Sequence, residues 1–175
     1  MSLGVWLVLA GGLAAAGPAA AAAPLPRLGP APNFALTAPR NDRVWLAQLR
    51  GRVVVLTFTC TRCEAACPRL VPTLADLARS LGERAGRRVF FVAVSVDPEL
   101  DTPAVLRRFG RDRRLEPPAW LLLTGAPAEV EVVTRRYGVG VRRAEGAVTH
   151  DCVALLVDAG GTLRARHRPP GSPAP

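Results

Sequence analysis

Two unbroken apolar runs constrain this chain more than any other feature: R-V-V-V-L-T-F at residues 52–58 and V-F-F-V-A-V-S-V at residues 89–96. Successive side chains of a strand point to opposite faces, so a strand with one wet face alternates apolar and polar residues. Neither run alternates, and both are rich in β-branched residues. Each therefore reads as a strand covered on both sides, the pattern of a sheet packed between helices. The intervening segments supply those helices. From Pro68 to Leu81, the residues Leu70, Leu74, Leu77, Ala78 and Leu81 recur at helical spacing, and Gly82 ends the pattern. Pro72 lacks a backbone donor, so either the first turn is irregular or the regular helix begins near it. In D-T-P-A-V-L-R-R-F-G, Asp101 or Thr102 is the expected N-cap, Pro103 the first helical residue and Gly110 the stop. The short strand W-L-L-L-T-G (120–125) leads into a third helix at 126–138, with Val130, Val133 and Tyr137 on one face.

The ends of the chain fit around this core. N-F-A-L-T-A-P-R-N-D-R-V-W-L (33–46) alternates about an Asn-Asp turn and predicts a hairpin or short paired strands. C-V-A-L-L-V-D-A-G-G-T-L-R-A-R (152–166) predicts a second hairpin turned at Ala159-Gly160-Gly161. The whole is an α/β layout in one domain over 33–168, with a Pro/Gly-rich tail at 169–175. Ahead of it, residues 24–32 are proline-rich and read as an extended tether. Residues 1–23 carry no charge and pass from an apolar core into alanine. That is the pattern of a cleavable secretory signal or of a retained membrane anchor, and either implies export.

The formal net charge of +9 falls wholly on residues 27–175, and all 23 basic residues are arginine. They occur as singles and pairs with few aromatics between them. That distribution argues for solvated basic surface and against nucleic acid as a partner.

Chemistry concentrates in C-E-A-A-C-P, where Cys63 and Cys67 follow the first buried strand and precede the first helix. A cysteine at the N-cap position, as expected of Cys67, has its thiolate favoured by free N–H groups and the helix dipole. His150, in V-T-H-D-C, stands just before a further apolar run. Two thiolates and one imidazole suit a soft cation, copper above all, provided the fold brings position 150 to position 63. The same pair, Cys63 and Cys67, could instead cycle as a redox disulfide in a thiol-disulfide oxidoreductase. A thiol peroxidase is disfavoured, because Val53 stands where that chemistry needs proline ahead of Thr57 and Cys60. Cys60 and Cys152 add two further thiols. If strands 52–58 and 152–157 run antiparallel and adjacent, Cys60 and Cys152 approach each other as a structural disulfide or a thiol reserve. Either could also complete a zinc site as fourth ligand. His167 reads as solvated.

The order T-x-C-x-x-x-C-P (Thr61–Pro68), S-V-D-P-E-L-D-T-P (Ser95–Pro103), W-L-L-L-T-G, then T-H-D-C and V-D-A-G-G resembles the Sco/SenC family. The resemblance covers roughly residues 32–166. It implies a thioredoxin-like fold, with a central mixed sheet, flanking helices and an N-terminal hairpin extension. It also implies that Cys63, Cys67 and His150 hold copper on behalf of the binuclear copper site of cytochrome c oxidase. A thiol reductant and the oxidase subunit carrying that site are the implied partners, in the periplasm or on the outer membrane face. Asp97, Asp101 and Thr102 then read as turn and cap residues. The chain departs from the family at Glu64-Ala65, where Pro-Asp is usual, and at Cys60, where an aromatic is common.

Overall fold

The computed structural model describes residues 23–63, 69–144, 146–170 and 172. The first apolar run forms the strand Val53–Thr59 (β4), preceded by three short strands: Gly29–Pro30 (β1), Ala35–Thr37 (β2) and Arg43–Trp45 (β3). The second run forms Val89–Ser95 (β5), and Trp120–Leu123 forms β6. The helices are Leu70–Ser80 (α1), Pro103–Asp112 (α2) and Pro127–Arg136 (α3). Val141–Ala144 (β7), Ala147–His150 (β8), Ala154–Val157 (β9) and Thr162–His167 (β10) complete the chain. The main sheet has the order β1-β10-β9-β4-β5-β6, with β4, β5 and β6 parallel and β9 antiparallel to β4.

The alternation of side chains divides the core into two layers. Leu56 and Phe58 of β4, with Phe90, Val92 and Val94 of β5, pack with Val130 and Val133 of α3 and with Tyr137 just past its end. Val55, Phe91 and Ala93 face the other way, onto Leu70, Leu74 and Ala78 of α1 and Leu106 and Phe109 of α2. Both faces of β4 and β5 are thus dry, as their unbroken apolar sequence requires. Burying a single such side chain stabilises the fold by about 1.5–3 kcal/mol.

Several sequence expectations are corrected. Pro72 is harmless because the helix starts at Leu70, which puts the proline among the first four residues, whose N–H groups have no helical partner anyway. The N-cap of α1 is Arg69, not Cys67, and Leu77 points to solvent, 43% exposed, while Val71 and Ala75 join the buried stripe. Gly110 does not stop α2, which runs on to Asp112; a Cβ there would stand 2.9 Å from Leu122 Cδ1, so the glycine serves close packing of helix on sheet. Of the two expected N-caps of α2, Thr102 is the one that serves, its hydroxyl accepting from Val105 N at 3.3 Å.

The proline-rich segment expected as a tether is paired along the sheet edge. Leu28 N donates to Leu163 O at 2.8 Å and Ala31 N to Gly161 O at 2.9 Å, while the Arg164 guanidinium bonds the carbonyls of Leu25 and Pro26. The hairpin β2–β3 turns where expected, with Asn41 at φ 67°. It guards the far edge, exchanging backbone bonds between Thr37 and Thr124. The hairpin β7–β8 has no counterpart in the sequence expectations, although R-R-A-E-G-A-V-T carries a glycine turn, and Gly146 sits at φ 77°.

Candidate metal and thiol site

Antiparallel pairing of β4 with β9 carries the chain at residue 150 back over the end of β4. The register matches Thr57 with Ala154, and the Thr57 hydroxyl, fully buried, donates to Val153 O at 2.9 Å. Just beyond β4, Cys60-Thr61-Arg62-Cys63 makes a tight turn closed by Cys63 N donating to Cys60 O at 3.4 Å. Above it lies the β7–β8 hairpin, whose Val148 carbonyl oxygen is 3.2 Å from Cys63 Sγ. His150 ends this hairpin. The donor atoms of Cys60, Cys63 and His150 all lie within 4.8 Å of one another. The sequence-predicted meeting of positions 63 and 150 therefore occurs. Cys67 lies outside the described residues.

His150 is 4% exposed, and its ring is held by a single polar contact, Nδ1 to the Asp151 carbonyl at 2.9 Å. A proton on Nδ1 satisfies that carbonyl and leaves Nε2 with a free lone pair. Nε2 is buried and has no hydrogen-bond partner among the described residues. Burial pulls the ring below the ordinary histidine value, outweighing the Asp151 carbonyl and carboxylate that pull it upward. The imidazole is therefore kept neutral, which is the ligating form. A buried imidazole with a free lone pair, on a ring grouped with two sulfurs, fits a soft, desolvated cation better than a hard one.

Asp101 organises the sulfurs. It is fully buried, and its carboxylate accepts from Thr61 N at 3.0 Å, from the Thr61 hydroxyl and from the Ser95 hydroxyl. Three donors on one carboxylate lock the cysteine turn to the end of β5. Sequence reasoning assigned Asp101 only to a cap or turn. The signal that could have found it is T-x-C paired with S-x-D-x-x-x-D, whose hydroxyls and carboxylates are too many for one helix start. Asp151 plays the same part for the hairpin, accepting from Gly140 N at 2.9 Å. Arg143 donates to Val96 O at 2.7 Å and ties the hairpin, from its other strand, to the residue just past β5. Asp97 lines a cleft beside the sulfurs with Cys60, Arg62 and hairpin residues Ala147, Val148 and Thr149. Burial and the neighbouring Asp101 push its carboxyl up, opposed by Arg62 and Arg143.

The expected Cys60–Cys152 bridge does not form. Cys60 is disulfide-bonded to Cys63, three residues on. The reason is layer geometry: Cys60 packs into the core beneath α3, whereas Cys152 packs into the core beneath α1 and α2, on the opposite side of the sheet. The same separation removes Cys152 as a fourth ligand beside Cys63 and His150. The expected Cys63–Cys67 pairing is likewise replaced at Cys63 by Cys60. His167 is exposed, as expected.

A mixed sheet with helices on both faces, and a cysteine turn after its central strand, defines a thioredoxin-like protein. The SCO1/SenC family profile matches residues 26–174, and the chain belongs to that family. It is 32% identical over 125 residues to the SCO1 protein homolog of Bacillus subtilis, covering 69% of this chain and 64% of that protein. Among solved structures it is similar to Arabidopsis thaliana ScoI with copper bound, at 28% identity and TM-score 0.71, covering 81% of this chain and 89% of that one. It is also similar to BsSco, a member of the Sco family of cytochrome c oxidase assembly proteins, at 27% identity and TM-score 0.71, covering 83% and 87% of the two chains. The chain spans 33–64% of the length of the first curated relatives it matches.

Proposed function

We propose that this chain is an exported copper metallochaperone that binds one copper ion through Cys63, Cys67 and His150. In this reading it delivers the ion to, or maintains the thiols of, the binuclear copper site of cytochrome c oxidase. The observation that carries the reading is the buried Nε2 of His150, without a hydrogen-bond partner among the described residues, on a ring with a nitrogen within 4.8 Å of Cys63 Sγ. Copper bound to the similar ScoI of Arabidopsis thaliana supports the choice of cargo, and the oxidase-assembly role of BsSco supports the recipient. The residues do separate tasks. His150 supplies a nitrogen oriented by the Asp151 carbonyl, the cysteines supply soft anionic sulfur, and Asp101 holds the cysteine turn still. Thiolate ligands in an oxidising compartment require a dithiol reductant as a partner.

Residues 1–23 would direct export, either cleaved within the alanine-rich stretch at 19–23 or retained as an anchor. No helix among the described residues is long and apolar enough to cross a membrane. The working domain runs from the β1 segment through residue 168, with 169–175 as a tail.

The test is anaerobic copper titration of the reduced chain beside Cys63→Ala and His150→Ala. Wild type is expected to take up one copper, with affinity falling at least tenfold in each variant. Unchanged binding in His150→Ala would remove that ligand from the account. A second reading, a thiol-disulfide oxidoreductase, is favoured by the disulfide between Cys60 and Cys63 beside a buried imidazole. Reductase turnover without copper uptake would select it.

A further inference from the structure

We infer that Cys60 is itself a metal ligand, and that Cys60, Cys63 and His150 form a complete three-donor set able to hold the ion without a sulfur from Cys67. The inference rests on the copper-binding reading above and adds Cys60 to the ligands named there, so that the set stays sufficient when the Cys67 sulfur is removed. Cys60 and Cys63 are the ends of one tight turn, with Cα atoms 5.2 Å apart, so their side chains leave the backbone close together. That separation lies within the range a disulfide spans, so both sulfurs can reach one point. Two thiolates on a common ion, each at about 2.3 Å, stand no more than about 4.6 Å apart, so the turn need open only slightly to chelate. A His150 ring nitrogen lies within the same 4.8 Å cluster.

Three further observations separate this set from a chance grouping. The turn is braced by the buried Asp101 carboxylate, so the sulfur pair is held in place before any ion arrives. His150 Nε2 is buried and has no hydrogen-bond partner among the described residues. Cys60 is 5% exposed, sealed on the core side by the layer beneath α3 and open toward the cleft that Arg62 lines. Arg62 and Asp97 line the same cleft beside Cys60.

The set is available only in the reduced protein. A dithiol reductant breaks the Cys60–Cys63 S–S bond, supplying two electrons and two protons and becoming a disulfide itself. Binding Cu(I) then releases the two thiol protons to solvent. Disulfide and metal thus compete for the same two sulfur atoms.

The test is Cu(I) titration of the reduced full chain against a chromogenic chelator, with copper X-ray absorption counting sulfur neighbours. Wild type, Cys60→Ser, Cys67→Ser and the double variant are compared. Cys67→Ser is expected to keep one Cu(I) with two sulfur neighbours and less than a tenfold loss of affinity. The double variant should retain one sulfur neighbour and lose at least a hundredfold. Alkylation of wild type should show Cys60 labelled without copper and protected with it, a readout that does not depend on a variant folding. The inference is overturned if Cys60→Ser matches wild type in affinity and sulfur count, or if Cys67→Ser drops to one sulfur neighbour. Failure of the parent reading is distinct: wild type itself would then take up no copper.

Discussion

At the scale of single residues, placement depends on two carboxylates and one ring. Asp101 accepts three hydrogen bonds in a fully buried position, and an amide in its place must turn an N–H₂ group toward donors. Asp101→Asn is therefore expected to destabilise the protein by about 1–3 kcal/mol, measured by urea unfolding, because buried donors are left unpaired. His150 provides a pH signature. Burial lowers its folded-state value below 6.5, so on acidification the unfolded chain takes up this proton while the folded ring stays neutral. Stability from this ring is full above the unfolded value and falls as pH drops through it toward the folded one. Unfolding midpoints of reduced, metal-free protein at about pH 7.5 and about pH 5.5 should diverge more in wild type than in His150→Gln. Equal divergence would show that the ring is not the group responsible.

At the scale of elements, the register between β4 and β9 converts a distant histidine into a neighbour of the cysteine turn. The Thr57 hydroxyl fastens this register by donating to Val153 O, just ahead of β9. Thr57→Val keeps shape and strand preference but strands that carbonyl, and a loss of about 1–3 kcal/mol is expected in chemical denaturation. A loss below about 0.5 kcal/mol would mean that water replaces the bond. The strands β4 and β5 were legible because burial on both faces leaves no room for polar alternation. The hairpin β7–β8 escaped notice because V-R-R-A carries two arginines and little apolar signal. Its stability comes from outside itself, through Asp151 and Arg143.

For the molecule as a whole, the segment before β2 closes the sheet. Its β1 residues cover the edge of β10, and Tyr137 OH donates to Pro32 O at 2.8 Å from the core beneath α3. Deleting residues 24–30 should expose the N–H and C=O groups of β10 as a template for pairing between chains. Concentration-dependent association by light scattering is the expected result; a deletion variant that stays monomeric would count against it.

Read alone, the order of residues determined the α/β class, the two buried strands, three helices and the candidates Cys63, Cys67 and His150. These follow from local periodicity, capping and donor chemistry, each written within about a dozen consecutive positions. Only the tertiary structure decided that Cys63 meets Cys60 and His150. The sheet separates Cys60 from Cys152 by a whole layer, although their neighbouring strands pair. A tight turn makes Cys60 the partner of Cys63, and a buried aspartate from beyond β5 holds that turn. Strand adjacency can be inferred from pattern. The face toward which a residue just past the strand end turns depends on backbone angles and long-range bonds that no short window of sequence contains.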